Sequence, residues 1–175
     1  MTDRRLDLFT GTGYDKGRSL PVQAAWFAVS HLLFQPWWMP ARLRPVLLRA
    51  FGAQVGSGAN IRNGVRVHWP WKLSLGEHVW IGEGAWLLNL EPIVLGDHVC
   101  VSQEAVLCTG SHDARSPSFE YDNAPITVGN GAWVALRAVV LRGTTVPAGV
   151  VVPAGTVLSR SAAARLQPRS PVERR

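Results

Sequence analysis

Leu75-Gly76-Glu77-His78-Val79-Trp80-Ile81-Gly82-Glu83-Gly84-Ala85-Trp86-Leu87 places an aliphatic residue at every sixth position and a small or aliphatic one four places after each. The rhythm extends both ways. Upstream it takes in Val55, Ile61 and Val67. Downstream come Leu95, Val101 and Leu107, and after a gap Val128, Val134, Val140, Val146, Val152 and Leu158. Two inward positions per six residues is neither a helix period nor long strand alternation. It is the mark of a hexapeptide β-helix, in which each repeat is a short strand and a corner. The anchors group in threes. The step is six within a triplet and eight from Val67 to Leu75 and from Leu87 to Leu95. Three strands and three corners close a coil, so the extra residues fall at one corner. Five coils are expected: 55–74, 75–94, 95–112, 128–145 and 146–158.

The one large break is Asp113–Thr127. Stacked coils bury each other's core, and long insertions become loops on one edge. Loops on a rigid scaffold carry binding and catalysis. The chain therefore divides into a partly helical N-terminal extension (1–52), a β-helix domain (53–158) with its loop at 113–127, and a C-terminal helix and basic tail (159–175). Residues 1–18 read as poorly structured. A helix is expected over Val22–Gln35, bounded by Pro21 and Pro36, with Gln23, Ser30, His31 and Gln35 on a polar face.

Composition narrows the function. Apolar residues make up 47% and charged residues 17%, with a formal net charge of +6. Much of the positive charge lies in the terminal segments, yet no aromatic-basic RNA motif or helix-turn-helix is present, so nucleic acid is not the expected partner. Cys100 and Cys108 form no disulfide framework, which suits a reducing cytoplasm. Asp3 and Asp7 interrupt any basic leader, so no secretory signal is expected. Ser19–Ala41 carries no Lys, Arg, Asp or Glu. Its prolines are too closely spaced for a spanning helix. Residues 20–44 read either as a helix docked on protein or as a weak membrane-surface contact, with Trp37 and Trp38 near the headgroups and Arg42 and Arg44 on lipid phosphate.

Ahead of the insertion the chain reads Thr109-Gly110-Ser111-His112-Asp113. With Ser111 inward, His112 projects at the mouth of the loop, where an imidazole can act as a general base. His78 and His98 share one phase of consecutive coils and read as stacked, solvated corner residues. No second His lies near His112, since the loop contains none, so a zinc site is not expected.

The hexapeptide series, the Thr-Gly-Ser-His-Asp segment and the 71–86 run resemble the hexapeptide-repeat acetyltransferases. Within them the chain is most similar to the colanic acid biosynthesis acetyltransferases, related to galactoside and maltose O-acetyltransferases. The resemblance spans about residues 14–158. It implies a mainly β fold, a left-handed parallel β-helix, assembled as a homotrimer with active sites between subunits. It also implies acetyl-CoA as acyl donor and a sugar or saccharide hydroxyl as acceptor, in surface polysaccharide biosynthesis. His112 matches the catalytic base. Asn89, Asp113 and Glu120 are implied on the acceptor side, the last two alternatively orienting His112. Trp133, Ala135 and Ala154 match positions along the pantetheine arm, and Arg137, Arg142 and Arg160 could meet coenzyme phosphates. The segment after the last coil, Ser159-Arg-Ser-Ala-Ala-Ala-Arg-Leu166, departs from the Gly-Asn-Pro-Ala-like ending of many members. A non-catalytic trimeric scaffold or binding module is the alternative reading.

Overall fold

In the computed structural model, residues 4–166 are described. Fifteen strands of two or three residues wind through five coils. The first face carries β1 (Gln54–Val55), β4 (Leu73–Leu75), β7 (Ile93–Leu95), β10 (Ile126–Val128) and β13 (Thr145–Val146). The second carries β2 (Asn60–Ile61), β5 (Trp80–Ile81), β8 (Cys100–Val101), β11 (Trp133–Val134) and β14 (Val151–Val152). The third carries β3 (Arg66–Val67), β6 (Trp86–Leu88), β9 (Val106–Cys108), β12 (Val139–Leu141) and β15 (Val157–Leu158). Each face is a five-stranded parallel sheet, and the fold is the expected left-handed parallel β-helix.

The six-residue anchors set the register. Val55 pairs with Leu75, Leu75 with Leu95, Leu95 with Val128 and Val128 with Val146. On the second face Ile61, Ile81, Val101, Val134 and Val152 stack in the same way. These columns fill the interior, where Ile61, Ile81, Leu87, Val101 and Leu107 are essentially inaccessible. Each such side chain contributes about 1.5–3 kcal/mol of burial. Corners are as tight as their glycines allow. A Cβ on Gly56 would sit 2.5 Å from the backbone of Gly76 in the next coil. Two corners depart from glycine: Glu104 and Arg137 take left-handed backbone between the second and third faces, and His78 and His98 do so between the first and second, at φ 54° and 56°. Their rings stack at 5.2 Å and 10°. Gly58 holds that place in the preceding coil because a Cβ there would strike the His78 ring.

The first coil has an open edge, and unpaired strand carbonyls need partners. Residues 20–52 supply them as a cap. Trp26 Nε1 donates to Val67 O on β3. Arg44 donates to Ile61 O on β2, and Arg49 to Val55 O and Gly56 O beside β1. The cap begins with α1 (Leu20–Val29), whose Pro21 sits in the first turn where no donor is lost. A π-turn (Ser30–Phe34) follows, and then α2 (Arg44–Ala50). The expected Val22–Gln35 helix thus starts earlier and changes winding at Ser30. Its polar face is also corrected. Gln23 and Ser30 are buried against the cap's own groups, Gln23 donating to Arg18 O and Ser30 accepting from Gln35 Nε2. Of the four, His31 alone is exposed, and the rest of the outward side is largely apolar.

Residues 4–18 are not the loose segment expected. They form a strap along the 113–125 loop. Arg5 N–H donates to Pro117 O, and Arg4 lies over the Phe119 ring. Phe9 and Tyr14 pack on Tyr121. At the other end, the expected C-terminal helix is α3 (Arg160–Ala163), capped by the Ser159 hydroxyl accepting from Ala162 N–H. The basic tail after Leu166 lies outside the described residues.

Candidate active site

All the variation in coil length falls between the third and first faces. The 113–125 loop springs from this corner after β9 and returns at β10. The expected loop is two residues too long, since Ile126 and Thr127 pair with Ile93 and Val94 on β7. Thr109, not Ser111, fills the last inward place. It is fully buried, and its hydroxyl donates to Leu88 O. Ser111 is only half-buried, with its N–H donating to Asn123 Oδ1. An antiparallel bridge between His112 and Tyr121 then closes the loop base.

His112 is held on every side but one. Its Nδ1 lies 2.8 Å from Phe119 O. A carbonyl only accepts, so Nδ1 carries the proton and Nε2 keeps the lone pair. Among the described residues Nε2 has no hydrogen-bond partner. The Phe119 ring stacks on the imidazole at 4.4 Å and 6°, and Tyr121 at 5.1 Å and 24°. Phe9 of the strap meets it edge-on at 5.7 Å. Phe119 adopts left-handed backbone, φ 53°, which is costly for a bulky residue. That conformation accompanies a residue giving His112 both its carbonyl acceptor and a stacking ring. The imidazole borders an open cleft of about 730 Å³, lined also by Asp113, Arg115, Asp122 and Arg142. Arg142 is ion-paired with Asp122 across it.

The acceptor-side expectations fare differently. Asp113 lines the cleft, but its Oδ1 accepts from Arg115 N–H and does not orient His112. Glu120 is turned away and holds the strap, accepting from Thr10 N–H, Thr10 Oγ1–H and Gly11 N–H. The Thr10 backbone bond leads in holding its carboxyl below the usual range. The attachment is therefore intact above the ordinary carboxylate range and lost as pH falls through the lowered value. Hydrogen-exchange protection at Thr10 and Gly11 should be steady near neutrality, fall in acid, and be weakened at pH 7 by Glu120→Ala. Unchanged protection in that variant would refute the anchor.

Asn89 is corrected outright. It is fully buried, so no acceptor can reach it. Its Oδ1 accepts from His68 N–H and Trp69 N–H, and its Nδ2 donates to Trp69 O. The side chain is a clamp between coils, because the wide corner leaves backbone groups that the ladder cannot pair. Asn89→Ala should lower stability by about 2–4 kcal/mol. Acceptor KM, measured below the melting range, should stay within about twofold, and a KM effect with unchanged melting would reverse this assignment.

The expected coenzyme residues split between two corners. Ala135, Arg137 and Ala154 lie where the second face turns into the third, and Trp133 is on the second face just before it. Trp133 is half-exposed and donates to Ser102 Oγ, while Ala135 is buried. Ala154 is exposed, and Arg137 pairs with Glu104. That pairing holds the Glu104 carboxyl low. The third face therefore stands between this group and His112 within one chain. Arg160 is on the His112 side. With Arg142, Gly143 and Ser159 it lines a second cleft of about 700 Å³, which shares Ser111 and Arg142 with the first. Sequence reasoning missed Phe9, Phe119 and Tyr121. The aromatic pair around Glu120, in Ser118-Phe119-Glu120-Tyr121, was the available signal. Among the described residues, no three His, Cys, Asp or Glu side chains converge on a metal-sized site.

Comparison with known proteins places this geometry. No protein-family model matches the chain. WcaF of Escherichia coli (strain K12), named a colanic acid biosynthesis acetyltransferase, is 39% identical over 140 residues, 78% of this chain and 75% of that protein. A maltose O-acetyltransferase of Clostridium difficile 630 superposes with TM-score 0.72 at 22% identity, over 90% of this chain and 87% of that one. A hexapeptide-repeat acetyltransferase of Vibrio cholerae O1 biovar eltor, solved with acetyl coenzyme A, gives TM-score 0.73 at 20% identity, over 87% and 85%. The two structures show the shared fold. By its likeness to WcaF, the chain belongs to the colanic acid biosynthesis acetyltransferases, a family of hexapeptide-repeat enzymes.

Proposed function

We propose that the protein moves an acetyl group from acetyl-CoA to a hydroxyl of a saccharide acceptor, in surface polysaccharide assembly, with His112 as general base. The observation that carries this is the Nδ1–H to Phe119 O bond of a histidine that lines the cleft, which leaves Nε2 without a hydrogen-bond partner among the described residues. An alcohol is a weak nucleophile at neutral pH and needs a positioned base. Nε2 takes the hydroxyl proton as the oxygen attacks the thioester carbonyl. The C–O bond forms, the C–S bond breaks, and the proton passes from His112 to the departing thiolate. The relatives' names, WcaF for colanic acid and the Clostridium protein for maltose, support a sugar acceptor. Acetyl-CoA supply suits a cytoplasmic enzyme.

The working unit in this reading is a homotrimer. One chain keeps Trp133, Ala135, Arg137 and Ala154 a full face away from His112. A neighbouring copy packed face to face can bring its own set to the His112 cleft, which completes a site that one subunit leaves divided. The test is release of free thiol from acetyl-CoA with a panel of nucleotide-linked and lipid-linked sugars, alongside light scattering at micromolar concentration. No acceptor-dependent thiol release would refute the transferase reading, and a monomeric mass would refute the divided site.

A further inference from the structure

We propose that the cap formed by residues 20–52 docks on the surface of an anionic phospholipid bilayer. The cap buries Trp26, Phe34 and Leu48, yet its outer side is apolar as well. Gln23, Ser30 and Arg44 are buried in it, while Leu32 (67% exposed), Trp37 (82%) and Trp38 (53%) face outward, with Leu43 and Val46 beside them in sequence. A tryptophan is normally well covered, and exposed apolar groups in number mark an interaction surface. Trp is also the residue favoured at the headgroup level of membranes, where an apolar ring and a polar N–H are both accommodated.

Charge selects the partner. From Lys16 to Gly76 the chain contains no Asp or Glu. The same stretch carries Lys16, Arg18, Arg42, Arg44, Arg49, Arg62, Arg66 and Lys72. Of these, all but Arg44 and Lys72 are exposed, and among the described residues none has a carboxylate within ion-pairing distance. A cap with exposed Arg42 and Arg49, no acid of its own and exposed indoles fits lipid phosphates better than an ordinary protein face. Position separates this surface from a subunit contact. The cap's inner side is bonded to the open edge of the first coil through Trp26, Arg44 and Arg49. Its outer side therefore looks along the solenoid axis, away from the three flat faces on which copies would pack. Among the described residues no helix is long and apolar enough to cross a membrane, so the contact is one of lying on the surface.

The test is flotation of the full chain with vesicles of phosphatidylglycerol and phosphatidylcholine, against phosphatidylcholine alone. At low salt the anionic vesicles should carry up roughly tenfold more protein, and added salt should reduce the difference. The double variant Trp37→Ala/Trp38→Ala should lose roughly tenfold of the binding while its thiol release with a water-soluble acceptor is unchanged. Absence of flotation, or equal flotation of the variant, would overturn the proposal. So would a drop in the variant's mass by light scattering, which would make the patch a contact between copies. Thiol release is read separately, so failure of the docking and failure of the transferase reading remain distinct.

Discussion

His112→Ala should lower acetyl transfer by roughly 10²–10⁴-fold, the contribution of a positioned general base, with little change in melting temperature. The side chain is half-buried at a loop base, and its rings of contact are Phe9, Phe119 and Tyr121, none of which belongs to the β-helix interior. Loss of the imidazole therefore removes chemistry and leaves the coils. Thiol release at saturating acetyl-CoA and acceptor is the measurement. His112→Gln adds a control, since an amide has the size to stay between the rings yet cannot take a proton. Both variants should be equally inactive. Full activity in either variant would remove His112 from the chemistry.

Arg44→Ala should lower stability by about 3 kcal/mol. For a chain of this size that is a fall in Tm of roughly 10 °C. Arg44 is 2% exposed and donates to three carbonyls: Phe34 O at 2.8 Å, Pro36 O at 2.8 Å and Ile61 O at 3.3 Å. Burial, and then the charge of Arg62, hold its guanidinium below the usual arginine range. Without it Phe34 O and Pro36 O lose the guanidinium inside the cap, Pro36 O keeping only the Met39 N–H, and β2 loses the donor on its open side. Arg44→Lys should recover little, because an ammonium lacks the planar fork that reaches three separate oxygens. Thermal melting followed by far-ultraviolet circular dichroism is the check. A shift under 2 °C for the alanine variant would show that water replaces the guanidinium without cost.

Arg44 also marks where sequence reading stopped. Its neighbours suggested a surface cation on lipid phosphate, and only the fold reveals it as an internal donor. The same holds for Asn89 and Glu120. The β-helix was legible because its period is local: Val55, Leu75 and Leu95 announce their pairing by position alone. The site of the break was legible too, and with it His112, since a residue beside an insertion must leave the coil. The partners of His112 were not. Phe9 is more than a hundred positions away, and the strap that carries it has no period to follow. Asn89 was misassigned because a buried clamp and a ligand-facing amide look the same in one dimension. Gln23 and Ser30 misled for a similar reason: polar residues mark the wet side of a helix only when no buried backbone group needs them.

The corner between the third and first faces admits segments of very different length. The step across it is eight from Val67 to Leu75 and from Leu87 to Leu95, twenty-one from Leu107 to Val128 and six from Val140 to Val146. Yet every anchor meets its counterpart in the next coil. The corner therefore behaves as an expansion joint. Length added there is shed outward and never transmitted to the strands, whereas the other two corners keep a step of six in every coil. Loop length can then be re-engineered at this joint, by grafting or trimming 113–125, while the stacked interior stays as it is.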